Sequence, residues 1–183
     1  MYNSLSRTIL LAALMTSFSS IGHTSDFNSL GVFDDWGAFS SANPQECWAV
    51  SAGAQEKAKH YRNGQEVKGV NRGDGTQLYA TFVKTSDKLS SWLAFTGGEY
   101  QFSEQQPVTL EVDGKQFKLF IANDADRGWA YTSGTIDAQI IELFKAGAIA
   151  KLTRVSSRGT QSVDEISLIG FTAAFEAARK ACT

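Results

Sequence analysis

Residues 108–121, with the sequence VTLEVDGKQFKLFI, decide the fold class of this chain. Apolar residues alternate with polar ones on both sides of the central Asp113-Gly114 pair. Alternation with a period of two is typical of a strand that buries one face. Because Asp and Gly tolerate the positive φ angles of a two-residue type I′ turn, the stretch predicts a β-hairpin.

Similar short runs recur along the rest of the chain between turn-forming residues. They predict strands over residues 32–39, 47–51, 76–85, 91–96, 129–132, 148–156 and 163–169. Residues 54–63 are polar and charged, with little apolar surface, and we interpret them as a solvated loop. Many short strands separated by turns are typical of a β-sandwich or a barrel.

Two segments in the C-terminal half have helical periodicity. Residues 137–146 predict one helix, with Thr135 or Asp137 as the N-cap and Gly147 as its end. Residues 171–181 predict a second helix. The apolar stripes consist of Ile140, Ile141 and Phe144 in the first segment and Phe171, Ala174, Phe175 and Ala178 in the second. We therefore predict a mainly β, single-domain antiparallel β-sandwich or barrel-like core with two short α-helices.

The N-terminus has the pattern of a secretory signal peptide. Arg7 precedes an apolar stretch over residues 9–15, and small residues follow it. We predict a signal peptide over residues 1–22, with cleavage as late as residue 25, and one domain over 23–183. The apolar run is shorter than the roughly 20 residues that span a membrane, and no later segment approaches that length. The expected location is the periplasm or the medium.

Composition and motifs disfavour several classes of function. The 183 residues hold 17 Lys and Arg against 19 Asp and Glu, so the net charge of −2 predicts no nucleic-acid partner. Metal-ligand spacing, a nucleophile elbow, a phosphate-binding loop and a dinucleotide fingerprint are missing from the sequence. We predict no enzyme, no cofactor and no metal site. Asp34, Asp35, Asp124 and Asp126 are carboxylates that could in principle serve calcium binding or acid–base chemistry, and we interpret the segment of Asp124 and Asp126 as a solvated turn before Gly128.

Two cysteines acquire a role if the chain is exported. In an oxidising compartment, Cys47 and Cys182 most simply pair as a disulfide that encloses nearly the whole domain. A loop of roughly 100 residues already gives about 4.7 kcal/mol in the chain-entropy model, and this loop is longer. The alternative is a reactive thiol, for which His60 would be the candidate base.

The most concentrated polar stretch covers residues 156–164. As a candidate binding loop for a small anion or a sugar it offers Arg154, Ser157, Arg158, Thr160 and Asp164. The alternative is a hairpin turn in which Arg158 and Asp164 form a local ion pair or cap the turn. With no histidine near it in sequence, an activated serine is not predicted.

Two further features allow a functional and a structural interpretation. The tripeptide Arg72-Gly73-Asp74 matches an adhesion signal, but its residues also suit a turn between strands. The four tryptophans are candidates for a ligand groove, although aromatic residues in strands usually fill a sandwich core. They are Trp36, Trp48, Trp92 and Trp129.

An ordered set of short patterns resembles the invasion-associated locus B family of bacterial secreted proteins. The patterns are Asp35-Trp36, residues 46–51, Arg72-Gly73-Asp74, residues 95–98, Gly128-Trp129-Ala130, residues 156–160, residues 167–174 and Cys182. They extend over nearly all of the chain that follows the predicted signal peptide.

The resemblance implies a signal peptide, a periplasmic or outer-surface location and a compact β-rich domain. It implies no catalytic residue. We therefore expect an exported, non-enzymatic envelope or surface protein that binds a protein or another envelope partner. The alternative function is a small-ligand-binding protein or an unrecognised hydrolase that uses the loop between Ser156 and Asp164.

Overall fold

The computed structural model describes residues 27–42, 45–54, 58–70, 75–86, 88–97, 101–121 and 128–183. These residues form twelve strands and two helices. The strands are β1 (Phe27–Phe33), β2 (Trp36–Ala42), β3 (Gln45–Ser51), β4 (Lys59–Arg62), β5 (Gln65–Glu66), β6 (Leu78–Lys84), β7 (Leu89–Thr96), β8 (Val108–Val112), β9 (Lys115–Leu119), β10 (Trp129–Tyr131), β11 (Ile149–Val155) and β12 (Gln161–Ser167). The helices are α1 (Gly134–Ala146) and α2 (Phe171–Ala181).

The strands form two six-stranded sheets in which neighbouring strands are antiparallel. The first sheet has the order β1-β2-β3-β6-β7-β10, and the second has the order β5-β4-β12-β11-β8-β9. Two separate antiparallel sheets with two helices in the C-terminal half confirm the predicted mainly β sandwich. Among the two predicted architectures, the closed barrel is not the one observed.

Both sheets and both helices contribute to one hydrophobic core. Trp36 on β2 links the two sheets. Its ring packs in the core, and its Nε1 donates a hydrogen bond to the carbonyl oxygen of Ser167 on β12 at 2.9 Å. The core residues of the first sheet are Trp36, Ala38, Cys47, Ala49, Leu78, Ala80, Phe82, Leu93, Phe95 and Ala130, and those of the second are Val108, Leu110, Val112, Leu119, Ala150, Leu152 and Ile166.

The hairpin that decides the fold class forms as expected. β8 and β9 pair through Asp113 and Gly114, whose φ angles of 53° and 74° are the positive values of a type I′ turn. The alternating residues Val108, Leu110 and Val112 face the core. β8 also pairs with β11, so this local hairpin is joined to the centre of the second sheet.

The strand predicted over residues 32–39 is wrong, because the chain reverses within it. β1 ends at Phe33, and β2 begins at Trp36 after a turn at Asp34 and Asp35. Asp34 has a φ of 51°, a left-handed conformation that aspartate adopts more readily than most residues. Asp34 and Asp35 are therefore turn residues and not strand residues, whereas Asp124 and Asp126 lie outside the described residues.

The solvated loop predicted over residues 54–63 is also wrong in part. Lys59–Arg62 forms β4, which pairs with β12 and turns back into β5. Its alternation buries only His60, so the strand carries almost no hydrophobic signal. This strand brings His60 to a loop that has no histidine near it in sequence.

The second helix seals the core beside β1, β2 and β3. Its buried stripe is the predicted one, and the rings of Phe171 and Phe175 lie 5.0 Å from those of Trp36 and Phe82 respectively. Burying each phenylalanine contributes about 1.5–3 kcal/mol. Gly170 precedes the helix with a φ of 92°, and a Cβ there would lie 1.8 Å from the carbonyl oxygen of Phe33. Glycine is therefore required at this close approach.

The first helix starts earlier than expected. Its N-cap is Ser133 rather than Thr135 or Asp137, while Gly147 ends it as predicted. The hydroxyl of Thr132 donates a hydrogen bond to the Asp137 carboxylate, which ties the first turn of the helix to the end of β10. Burial raises the pKa of Asp137 above its usual value, and the hydrogen bond from Thr132 opposes that rise.

Candidate functional site

The second sheet buries polar side chains at one end of its inner face. β11 and β12 pair so that Arg154 lies opposite Ser162, with Asp164 two residues further along β12. Arg154 and Asp164 are only 1% and 0% exposed. Arg154 follows Leu152 by two positions, and Asp164 precedes Ile166 by two. Because side chains two positions apart lie on the same face of a strand, the charged pair faces the core as the two hydrophobic residues do.

The charged pair is neutralised inside the protein. Arg154 Nε donates to Asp164 Oδ2 at 3.3 Å, and the hydroxyl of Thr76 donates to the same oxygen at 2.6 Å. The guanidinium also lies 5.5 Å from the centre of the Phe102 ring. Asp164 therefore has its ion pair with Arg154 on the neighbouring strand, whereas the turn interpretation assigned Arg158 to it.

β4 adds a histidine to this cluster. His60 Nδ1 lies 2.9 Å from the hydroxyl oxygen of Ser162, and both residues are buried. The expectation that no histidine lies near the loop is therefore wrong. The two residues are 102 positions apart, and only the pairing of β4 with β12 brings them together.

A small cavity opens at this end of the sheet. Its volume is about 60 Å³, and its lining residues are Arg62, Val70, Arg154, Ser156, Arg158, Thr160 and Ser162. Three of the predicted loop residues, Arg154, Arg158 and Thr160, thus meet at one cavity. Ser157 is exposed in the turn, and Asp164 is not a lining residue.

The first sheet carries an aromatic face on the side opposite the core. Trp48 on β3, Trp92 on β7 and Trp129 on β10 are each half-buried there, whereas Trp36 fills the core. The register places Trp48 and Trp92 on either side of Thr81. The expectation that strand tryptophans fill the core holds for Trp36 only.

Other aromatic rings pack against the tryptophans of this face. The ring centre of Trp48 lies 5.3 Å from that of Phe27 and 6.0 Å from that of Phe39. Tyr79 lies 5.2 Å from Trp129 in the same way. Aromatic pairs at these separations add about 0.5–1.5 kcal/mol beyond the area that they bury.

A groove of about 710 Å³ runs over this face. We call it the aromatic groove, and its lining residues are Phe27, Ser41, Glu46, Trp48, Tyr79, Thr81, Trp92, Ala94, Trp129 and Tyr131. Strand alternation is the sequence feature that indicates this groove. Trp48 stands between the core residues Cys47 and Ala49, and its side chain therefore faces away from the core.

No group of three or more His, Cys, Asp or Glu side chains within the described ranges is placed to hold a metal ion. Neither helix in the described part of the chain combines the length and apolar character needed to cross a membrane. Arg72-Gly73-Asp74 and the predicted signal peptide lie outside the described residues.

Residues 99–179 match the family model described as invasion associated locus B (IalB) protein. This segment of the chain is similar to the IalB family. The crystal structure of invasion associated protein B from Bartonella henselae is similar, with a TM-score of 0.53 over 84% of this chain and 96% of that chain. At 14% identity that similarity shows a shared fold. No curated protein matches the chain.

The IalB match covers the two sites unequally. It begins before β8 and ends within α2, and it therefore includes Arg154, Ser162 and the loop between their strands. Of the three tryptophans of the aromatic groove, it includes Trp129 alone. Trp48 and Trp92 stand on strands of this chain that precede the matched segment.

Proposed function

We propose that this protein is a member of the IalB family, is exported and acts without catalysis, by binding a protein partner in the aromatic groove. The observation that carries the proposal is the set of three half-buried tryptophans on the outer face of the first sheet. A contiguous aromatic surface of this kind on a folded domain usually marks an interaction site. Tryptophan and tyrosine are also enriched among the residues that dominate the energy of protein interfaces.

The dimensions of the groove favour a protein segment over a small molecule. Its lining residues extend from Phe27 on β1 to Trp129 on β10, the two edges of the six-stranded sheet. Neighbouring strands lie about 4.8 Å apart, so five intervals span roughly 24 Å. Glu46 is the lining residue that carries a charge. The expected partner therefore presents several apolar side chains and a basic residue.

Two features support export to the periplasm or the medium. The N-terminal sequence has the order of a signal peptide, with Arg7 before the apolar stretch. Cys47 and Cys182 form a disulfide with both residues fully buried, and disulfides persist mainly in oxidising compartments. Cell fractionation with N-terminal sequencing of the recovered protein tests both the location and the cleavage site.

Photo-crosslinking from the groove tests the proposed interaction. A crosslinking amino acid in place of Ser90, which lies two residues before Trp92 on the same face of β7 and therefore next to the groove, is expected to capture a discrete protein in the native envelope. The same group in place of Lys151, on the outer face of the second sheet, is the control. A partner captured from Lys151 but not from Ser90 would refute the assignment of this face.

The identified partner is then titrated against purified variants. Trp92→Ala is expected to weaken its binding by about 2 kcal/mol, or roughly 30-fold, because a central aromatic anchor is lost. Ile149→Ala is the matched control, since Ile149 is a 46% exposed apolar residue on the other sheet. Equal affinities for the Trp92→Ala variant and the unchanged protein would contradict the proposal.

The contact between His60 and Ser162 favours a second candidate, a hydrolase. A histidine within hydrogen-bond distance of a serine hydroxyl is the arrangement that activates a serine nucleophile. If Ser162 is the nucleophile, a fluorophosphonate probe should label the protein, and Ser162→Ala should abolish the labelling. Ser157→Ala is the control, because Ser157 is exposed in the adjacent turn. Labelling that survives in the Ser162→Ala variant, or no labelling of the unchanged protein, rejects this candidate.

A further inference from the structure

We propose that the cavity beside β11 and β12 binds a small tetrahedral oxyanion of the phosphate or sulfate type. The cavity is separate from the aromatic groove, and the two share no lining residue. Its charged lining residues are Arg62, Arg154 and Arg158. Nothing in the proposed protein interaction requires these three guanidinium groups to converge.

The charged lining residues suit an anion. The ionisable residues of the lining are three arginines, and Asp164, which pairs with Arg154, is not a lining residue. Guanidinium groups also present planar pairs of N–H donors that fit the oxygens of a phosphate or sulfate.

Two hydroxyl groups in the lining accept hydrogen bonds from the protein. Thr160 Oγ1 accepts a hydrogen bond from Arg62 at 2.9 Å, and Ser156 Oγ accepts one from the backbone N–H of Thr160 at 3.2 Å. A hydroxyl that accepts from the protein keeps its own proton for donation. Both hydroxyls therefore complement the oxygens of an anion, which accept hydrogen bonds and have none to donate.

The size of the cavity limits the ligand. A water needs roughly 10–15 Å³ of such space, so about 60 Å³ accommodates roughly four to six non-hydrogen atoms. A phosphate or a sulfate has that size. A larger molecule would place only a terminal phosphoryl or sulfo group in the cavity, with the remainder outside.

One part of the site is rigid before any anion binds. Arg154 is almost completely buried and is held by Asp164 and by the Phe102 ring. Arg62 is anchored through Thr160, although its side chain is exposed. A site in which a buried guanidinium is already positioned loses less conformational entropy on binding than a cluster of mobile surface lysines does.

Titration calorimetry and thermal denaturation of the purified protein test the site. Inorganic phosphate, sulfate and phenyl phosphate are compared with chloride at equal ionic strength. Saturable binding of phosphate or sulfate, with a rise in melting temperature, supports the proposal, and binding of phenyl phosphate as well shows that the site accepts a phosphomonoester. A protein that responds to none of these dianions more than to chloride overturns it.

Arginine variants assign the binding to this cavity. Arg62→Gln and Arg158→Gln, both at exposed positions, are each expected to weaken phosphate binding about 10-fold or more. Lys118→Gln and Lys151→Gln remove the same charge elsewhere on the second sheet and should leave the affinity within about twofold, since screened surface charges contribute little. Equal losses in the lysine and arginine variants would show non-specific attraction and refute the site. Trp92→Ala should not affect phosphate binding, so this test is independent of the partner assay.

Discussion

Replacing Cys47 and Cys182 together with alanine is expected to lower the free energy of unfolding by about 5 kcal/mol. The disulfide joins residues 135 positions apart, and the chain-entropy model assigns a penalty of that size to the unfolded chain for a loop of this length. It fastens β3 to the end of α2, whose apolar stripe packs on the first sheet. For a domain of this size the melting temperature should fall by about 10–20 °C.

Chemical denaturation at neutral pH measures this loss. Reduced unmutated protein is the control, because it keeps both sulfur atoms in the core and lacks only the covalent bond. Its stability should lie close to that of the double-alanine variant. A variant within about 1 kcal/mol of the oxidised protein would show that the bond contributes little and would contradict the prediction.

The second large effect is expected at the buried ion pair. Asp164→Leu should destabilise the protein by about 3–5 kcal/mol, because it leaves the guanidinium of Arg154 buried without its carboxylate partner. Arg154→Met should cost a similar amount by leaving the carboxylate of Asp164 behind. In the double variant no charge is left, and a buried pair replaced by apolar residues of similar size is often neutral or stabilising.

The three variants form a double-mutant cycle measured by denaturant unfolding. We expect the double variant to be more stable than either single variant. The hydroxyl of Thr76 loses its acceptor on Asp164 in that variant, which costs some of the stability gained. If the losses in free energy of unfolding of the two single variants add up to the loss of the double variant, the two side chains do not interact. That result would contradict a buried ion pair between Arg154 and Asp164. Lys151→Met with Glu165→Leu is a matched surface control, since that pair is exposed at 3.9 Å and should change stability little.

The sequence predicted the fold correctly where a strand or a helix can be recognised from the periodicity of its own residues. The hairpin around Asp113-Gly114 required only alternation and two residues that accept positive φ angles. The stripe of α2 was equally local, and its bounds at residues 171 and 181 agree with the prediction. The strand at Lys59–Arg62 was missed because its partners are β12 and β5, and a strand of charged residues is stabilised by pairing rather than by its own hydrophobicity.

The candidate sites were predicted less completely than the fold. The loop residues Arg154, Arg158 and Thr160 were named from their chemistry, and the structure brings them to one cavity. His60 and Arg62 were missed, because they reach the same place from a strand about 100 residues earlier in the chain. The sequence leaves a ligand groove and a core position as alternatives for the tryptophans, since a list of tryptophans does not reveal which side of a sheet each one faces.

The sequence by itself determined the alternation of side chains, the turn at Asp113-Gly114, the helical stripes and the two cysteines that pair. These depend on residues close together in the chain or, for the cysteines, on there being only two. Only the tertiary structure decided that Trp36 lies in the core while Trp48, Trp92 and Trp129 lie outside it, and that His60 and Arg62 join the loop after β11. The physical reason is that strand pairing joins distant segments, and the register of that pairing assigns each side chain to a face of the sheet.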